Sequence, residues 1–136
     1  MHIVKLTNWV AVCAQITPAH APHIAAAGYR VLVNNRPDGE EPGQPSSAEI
    51  EAAARAAGLQ YHYLPIIAAT FPGEDFARMC ELLRDSSRPV LAFCRSGTRC
   101  ANLWVASHPA SERERALRQA QQLGYDLGLA ANYARG

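Results

Sequence analysis

Short apolar runs alternate along this chain with segments whose apolar residues recur at helical spacing. The runs typical of strands are HIVKL, WVAVCA, YRVLVNN, YHYLPI and PVLAF, at residues 2–6, 9–14, 29–35, 61–66 and 89–93. Helices are predicted over 18–28, 47–57, 74–85 and 98–108, with a polar helix over 111–124. This alternation predicts an α/β fold with a mostly parallel central sheet flanked by helices. Ligands of such sheets bind outside the carboxyl ends of the strands.

The size and charge of the chain limit its architecture and its partners. Its 136 residues, 49% of them hydrophobic, predict a single domain over 1–136. Thirteen Lys and Arg face twelve Asp and Glu, so we expect neither nucleic acid nor a membrane surface as a partner. No apolar run approaches the roughly 20 residues that span a bilayer, and the first residues lack a signal-peptide pattern. We therefore expect a cytoplasmic location.

Four cysteines are present, and their spacing indicates neither a zinc site nor a disulfide framework. No two of them are spaced as a CxxC motif; they stand at Cys13, Cys80, Cys94 and Cys100. We accordingly expect no metal and no cofactor. Cys13 and Cys80 are interpreted as core residues. Cys100 is interpreted either as a small core residue facing the sheet or as a partner that forms a disulfide with oxidised Cys94.

The segment CRSGTR, residues 94–99, joins the last predicted strand to the following helix. Backbone N–H groups at such a helix start form a cradle for an anion. Gly97 lets the backbone turn without a side chain in the way, and Ser96 and Thr98 offer hydroxyl groups to a ligand or a thiolate. The sequence therefore predicts an oxyanion site above Cys94.

Cys94 has the surroundings that activate a thiol as a nucleophile. A helix N-terminus and nearby arginines lower the pKa of a cysteine by several units. Arg99 can bind a tetrahedral oxyanion through two parallel hydrogen bonds and neutralise charge in the transition state. Arg95 is predicted to point outward and guide a substrate. The alternative is a buried, inert Cys94 beside solubilising surface arginines, which would not require Ser, Gly and Thr around it.

A second group of candidates follows the strand at 29–35. Arg36 is predicted either as a further anion contact at the pocket rim or as a surface arginine beside a turn. Asp38 is a candidate general acid, although a Pro-Asp-Gly turn without chemistry explains it better. Glu74 and Asp75 are better explained as carboxylates at a helix start, which the helix dipole favours.

Three separated segments carry a family resemblance. VLVNNRPDGEEPGQPS, AAGLQYHYLPI and PVLAFCRSGTR closely resemble the phosphatase-like domain of the beta-lactamase-hydrolase-like proteins, bacterial proteins similar to dual-specificity and tyrosine phosphatases. The resemblance covers roughly residues 2–107 and implies a cysteine-phosphatase-like fold. It further implies that Cys94 attacks phosphorus, that Arg99 clamps the phosphate and that water hydrolyses a thiophosphoryl intermediate. The expected ligand is a small oxyanion or a phosphorylated substrate, and the family's fusion to hydrolase domains suggests a separate hydrolase as partner.

The loop departs from the phosphatase pattern in its length. Tyrosine phosphatases have five residues between cysteine and arginine, whereas four separate Cys94 from Arg99 and Cys100 stands at the phosphatase arginine position. A loop of this length resembles that of the rhodaneses, which transfer sulfur through a cysteine persulfide. The loop IIAATFPGED also lacks an early acid. A phosphatase is the first hypothesis, a sulfurtransferase the second, and a non-catalytic anion-binding module the third.

Overall fold

A computed structural model of the chain describes residues 1–135. Over these residues it has five strands and six α-helices. The strands are β1 (Val4–Lys5), β2 (Val10–Cys13), β3 (Val31–Asn34), β4 (Gln60–Tyr63) and β5 (Val90–Phe93). The helices are α1 (Ala21–Ala26), α2 (Ser47–Ala56), α3 (Phe76–Arg84), α4 (Thr98–Ala106), α5 (Ala110–Gln122) and α6 (Gly128–Arg135). Short 3₁₀ turns lie at Pro18–His20 and Ala68–Thr70.

The strands form one mixed sheet in the order β1-β2-β5-β3-β4. Only β1 runs antiparallel to its neighbour, β2, and the other three pairings are parallel. β5 lies between β2 and β3, and Val90 is in register with both Val10 and Val31. The predicted α/β architecture with a mostly parallel sheet is confirmed.

Helices cover both faces of the sheet, as the apolar strands require. Every residue of β2, β3 and β5 is buried, which is typical of parallel strands with two covered faces. Along β5, Val90 and Ala92 belong to the core layer shared with α3, α4, α5 and α6. Leu91 and Phe93 belong to the opposite layer, shared with α1 and α2. Cys94 continues the alternation and lies in the first layer.

Two predicted elements end or divide earlier than the sequence pattern indicated, in both cases at a proline. The helix predicted over 18–28 is a 3₁₀ turn followed by α1, because Pro22 has no N–H to donate to the preceding turn. The strand predicted over 61–66 ends at Tyr63. Leu64 and Ile66 still donate backbone N–H groups to Asn34 and Asn35, but Pro65 between them cannot.

Two helices, α3 and α6, differ from the helices that the sequence predicts. The helix predicted from residue 74 begins at Phe76, because Asp75 has a non-helical backbone and Met79 N–H is bonded to its carbonyl. The terminal helix α6 is not indicated by the sequence pattern. Within residues 1–135, no helix is both long and apolar enough to cross a membrane.

The topology brings three chain segments together at one edge of the sheet. β2, β5 and β3 are parallel neighbours, and Cys13, Phe93 and Asn34 are aligned at their carboxyl ends. The residues that follow these strands therefore meet at this edge. They include the 94–99 segment that the sequence singles out.

Candidate active site

The 94–99 loop turns sharply between β5 and α4 around a buried glycine. Gly97 has a φ of 89°, in the left-handed region that glycine adopts without a steric penalty. Its N–H donates a hydrogen bond to Cys94 Sγ at 3.1 Å. Gln15 N–H donates to the Arg95 carbonyl at 3.3 Å, which ties the loop to the segment after β2. The loop thus aims at least one backbone donor at the cysteine sulfur.

The surroundings of Cys94 stabilise its thiolate. Its pKa is lowered to about 5, first by a hydrogen bond from the Cys100 thiol, against a burial that raises it. The backbone amides of Cys100 and Ser96 and the charge of Arg99 lower this pKa further. Cys94 is therefore ionised at neutral pH, in a buried position that would otherwise favour the thiol.

The two neighbouring cysteines are held in the opposite state. Burial, followed by the Cys94 charge, raises the pKa of Cys13 to about 12. Burial is also the main reason why the pKa of Cys100 is well above its usual range, with the hydrogen bond to Cys94 adding to it. Both therefore remain thiols. Cys13, Cys80 and Cys100 are all buried, as their interpretation as core residues predicts. The alternative in which Cys100 forms a disulfide with oxidised Cys94 remains a prediction.

Arg99, half-buried at the start of α4, is fixed by an ion pair with Glu40. Its Nη1 and Nη2 donate to Glu40 Oε2 and Oε1 at 2.9 and 2.8 Å. Nη1 also donates to the Ile66 carbonyl at 2.9 Å. The guanidinium is held from two chain segments while its charge acts on Cys94.

Arg36 is buried at the end of β3, with only 2% of its surface exposed. The alternative of a surface arginine is therefore wrong. Its Nε donates to Glu40 Oε1 at 2.8 Å, its Nη1 donates to Gln15 Oε1 at 3.1 Å, and its Nη2 donates to Glu41. These bonds join Arg36 to the segment after β2 and to the turn that follows β3. A direct contact of Arg36 with an anion remains a prediction.

Glu40 and Glu41 connect the three arginines of the site. The hydrogen bond from Arg99 is the main reason why the pKa of Glu40 falls to about 2, although burial opposes it. Glu40 is therefore ionised and carries no proton to donate at neutral pH. Glu41 accepts from Arg36 and lies 3.3 Å from the Nε of Arg95. The Arg95 side chain is 69% exposed, in agreement with its predicted outward direction.

The two loop hydroxyls are bonded to one another. Ser96 Oγ donates to Thr98 Oγ1 at 2.9 Å, and Thr98 N–H donates to Ser96 Oγ at 3.4 Å. The Thr98 hydroxyl hydrogen is consequently not required by Ser96. Binding of an anion by this hydroxyl remains a prediction.

Asp38 supports a helix start. Its carboxylate accepts the Ser47 N–H at 2.7 Å, at the first residue of α2. Its own N–H donates to the Tyr63 hydroxyl at 2.9 Å. These contacts match the turn interpretation of Asp38, and none joins it to Cys94 or Arg99. The general-acid role of Asp38 remains a prediction that these contacts do not support.

Four residues at this edge are absent from the sequence-based candidates. Three of them, Gln15, Glu40 and Glu41, follow the carboxyl ends of β2 and β3, so the topology rule alone could have indicated them. The fourth, Tyr125, lies between α5 and α6. Its hydroxyl is 3.4 Å from the point that a Cβ on Gly97 would occupy. No local sequence signal links it to the loop.

Comparisons with known proteins show which proteins this chain is similar to. Residues 2–111 match the family described as beta-lactamase hydrolase-like protein, phosphatase-like domain. A beta-lactamase hydrolase-like protein of Xylella fastidiosa is 35% identical over 138 residues, covering 98% of this chain. The crystal structure of a candidate phosphatase from Neisseria meningitidis is 33% identical, with a TM-score of 0.78, covering 99% of this chain and 95% of that one.

Solved structures of lower sequence identity identify the fold. Tk-PTP in its active form has a TM-score of 0.68 at 19% identity, over 97% of this chain and 92% of that one. The chain thus has the fold of the cysteine phosphatases. It spans only 24% to 32% of the length of the curated relatives that it matches.

Proposed function

Because the chain belongs to the phosphatase-like domain family of the beta-lactamase hydrolase-like proteins, we propose that it is a cysteine-dependent hydrolase of phosphate esters. One observation carries the proposal. The Cys94 sulfur is ionised at the N-terminus of α4, bonded to the Gly97 amide and close to a fixed arginine. A stabilised thiolate at an anion-binding helix start is the nucleophile that this chemistry needs.

The proposed reaction has two steps. Cys94 Sγ attacks phosphorus, the bond from phosphorus to the ester oxygen breaks, and the alcohol leaves as its anion or takes a proton from water. Water then attacks the thiophosphoryl intermediate, which releases inorganic phosphate and restores the thiolate. The loop amides and Arg99 bind the phosphate oxygens through both steps, where the transition states carry negative charge.

The carboxylates near the site restrict the substrate class. Glu40 is ionised because Arg99 and Arg36 hold it, and Asp38 is bonded to Ser47. Neither is arranged to protonate a leaving oxygen, a step that contributes roughly 10²- to 10⁴-fold. Aryl esters depend on that proton less than alkyl esters, because a phenoxide is the more stable leaving anion. We therefore propose aryl phosphates, including phosphotyrosine-type esters, as the preferred class.

Sulfur transfer is the second candidate, and the loop itself favours it. Only four residues separate Cys94 from Arg99, and a buried thiol, Cys100, stands at the phosphatase arginine position. In this reaction the thiolate attacks the outer sulfur of thiosulfate, the S–S bond breaks and sulfite leaves. The product is a persulfide on Cys94. Sulfite is a stable anion and needs no general acid.

One paired experiment separates these reactions. Wild type and Cys94→Ser are incubated with phenyl phosphate, and phosphate release is measured. In parallel, both are treated with thiosulfate and their intact masses are determined. The proposal predicts Cys94-dependent phosphate release without a stable sulfur adduct. A Cys94-dependent gain of one sulfur with negligible phosphate release would instead support sulfur transfer. If neither activity is detected, the third hypothesis, a non-catalytic anion-binding module, is the one that is left. A separate hydrolase as partner remains a prediction.

A further inference from the structure

We propose that Glu40 is a positioning residue that binds the Nη1/Nη2 edge of the Arg99 guanidinium and leaves the adjacent Nε/Nη2 edge to bind the oxyanion above Cys94. This inference rests on the anion site of the proposed function and adds a residue to it. Glu40 lies in the turn between β3 and α2, 59 residues from Arg99 in the sequence.

A guanidinium offers two pairs of parallel donors to an oxyanion. One pair is the end formed by Nη1 and Nη2, and both of these nitrogens donate to the Glu40 carboxylate. The Ile66 carbonyl accepts a further Nη1 hydrogen. What remains is the side edge, formed by Nε–H and the second Nη2 hydrogen. Within residues 1–135 these two hydrogens have no protein acceptor, so one complete pair is left for a ligand.

Hydrogen bonds fix both the side chain and the backbone of Glu40, so that its carboxylate can orient Arg99. The buried Arg36 donates to its Oε1 at 2.8 Å, and Arg36 is fixed in turn by Gln15 and Glu41. The Gln44 side chain accepts the backbone N–H of Glu40 at 3.1 Å. A carboxylate fixed from both backbone and side chain limits the directions that Arg99 can take.

The charges of the site show why orientation matters here. The negative charge of Glu40 offsets the positive charge of Arg99 at a distance of 2.8 Å, so Arg99 contributes less as an unpaired charge. Its contribution to anion binding then depends on two directed hydrogen bonds from the free edge. Such a pair fits an oxyanion that presents two oxygens, such as phosphate or a phosphoryl group, better than a monatomic anion.

The neighbouring acid provides a matched control. Glu41 lies in the same turn, its backbone N–H is also bonded to Gln44, and it also accepts from Arg36. Its other partner is the exposed Arg95. Glu41→Gln therefore removes the same charge and disturbs the same buried arginine without touching Arg99.

The test measures phosphate binding without turnover. Cys94 is alkylated with iodoacetamide at increasing concentrations of inorganic phosphate, and the protection curve gives a dissociation constant for wild type, Glu40→Gln and Glu41→Gln. We expect about tenfold weaker phosphate binding in Glu40→Gln, the effect of losing directed charge-assisted bonds, and less than a twofold change in Glu41→Gln. Chloride in place of phosphate should protect all three variants equally.

The outcomes separate positioning from general support. Equal weakening in both variants would assign the effect to Arg36 and overturn the inference, as would unchanged or tighter binding in Glu40→Gln. Weaker phosphate binding in Glu40→Gln but not in Glu41→Gln supports the positioning role of Glu40. That result would stand even if the wild type hydrolyses no phosphate ester, in which case only the proposed function fails. If phosphate does not protect wild-type Cys94, the anion site fails and the role of Glu40 fails with it.

Discussion

At the scale of single residues, Cys13 and Cys94 show how neighbours decide the state of a thiol. Both are buried at the carboxyl ends of adjacent strands. Burial raises the pKa of Cys13 to about 12, because it has no donors that compensate for the lost water. Cys94 receives hydrogen bonds from the Cys100 thiol and from the loop backbone, and its pKa falls to about 5. Directed donors therefore outweigh burial at Cys94.

The first prediction at this scale concerns the pH dependence of Cys94. A thiol with a pKa of about 5 is mostly thiolate above that pH, so alkylation by iodoacetamide should rise through about pH 5 and be constant near neutrality. Cys100→Ala removes the largest stabilising contact of the thiolate. We expect it to raise the Cys94 pKa and to move the midpoint of the alkylation profile to higher pH.

The control for this variant is Cys80→Ala on α3. Cys80 is a buried thiol whose pKa is raised by its own burial, and it has no part in the surroundings of Cys94. Its removal should leave the midpoint in place. A profile that is the same in Cys100→Ala and in wild type would contradict the assignment of Cys100 as the main donor.

At the scale of elements, the turn from β5 to α4 sets the positions of the donors. Gly97 is the residue before α4, and its left-handed backbone directs its N–H toward Cys94. A Cβ at this position would lie 3.4 Å from the Cys13 carbonyl group and from the Tyr125 hydroxyl. The available space is sufficient, so the cost of a substitution comes mainly from the backbone angle.

We predict that Gly97→Ala separates stability from reactivity. An alanine in the left-handed region costs about 1 kcal/mol in the free energy of unfolding. Gly58→Ala, at the end of α2, has a similar φ of 83° and no atom near its Cβ, so its cost should be similar. Only Gly97→Ala should also slow the alkylation of Cys94 at neutral pH, because a backbone that shifts away from the left-handed angle turns the residue 97 N–H away from the sulfur. Equal alkylation rates in the two variants would show that an alanine leaves this N–H on the sulfur, and would contradict the prediction.

The sequence predicts elements well where the information is local. Apolar runs indicate β2, β3 and β5, and the strand-loop-helix pattern indicates the Cys94 loop and Arg99. The role of Glu40 is not predictable in this way, because its partner lies 59 residues away and the pairing depends on the sheet order. The burial of Arg36 is not predictable from the sequence for the same reason, because its three hydrogen-bond acceptors come from two separate segments.

At the scale of the whole molecule, the C-terminal region supports the site through a buried asparagine. Asn102 on α4 is fully buried, and its Nδ2 donates to the carbonyls of Thr98 and Asp126 at 2.8 and 2.9 Å. Its Oδ1 accepts the Ala130 N–H at 2.9 Å. One side chain thus joins the first turn of α4, the segment before α6 and α6 itself. The same arrangement brings Tyr125 to the Cys94 loop.

Asn102→Ala should therefore destabilise the molecule more than the loss of one small side chain would suggest. The substitution leaves the buried N–H of Ala130 and the carbonyl of Asp126 without their partner, at a cost of about 3 kcal/mol in the free energy of unfolding. Asn132→Ala, on the exposed part of α6, removes the same amide without breaking a buried bond and should cost less than about 0.5 kcal/mol. Urea unfolding of both variants provides the comparison. If Asn102→Ala unfolds at the wild-type midpoint, α6 does not depend on this asparagine for its attachment to α4. If it unfolds earlier, the terminal helix is part of the structure that holds the start of α4, and with it the anion site, in place.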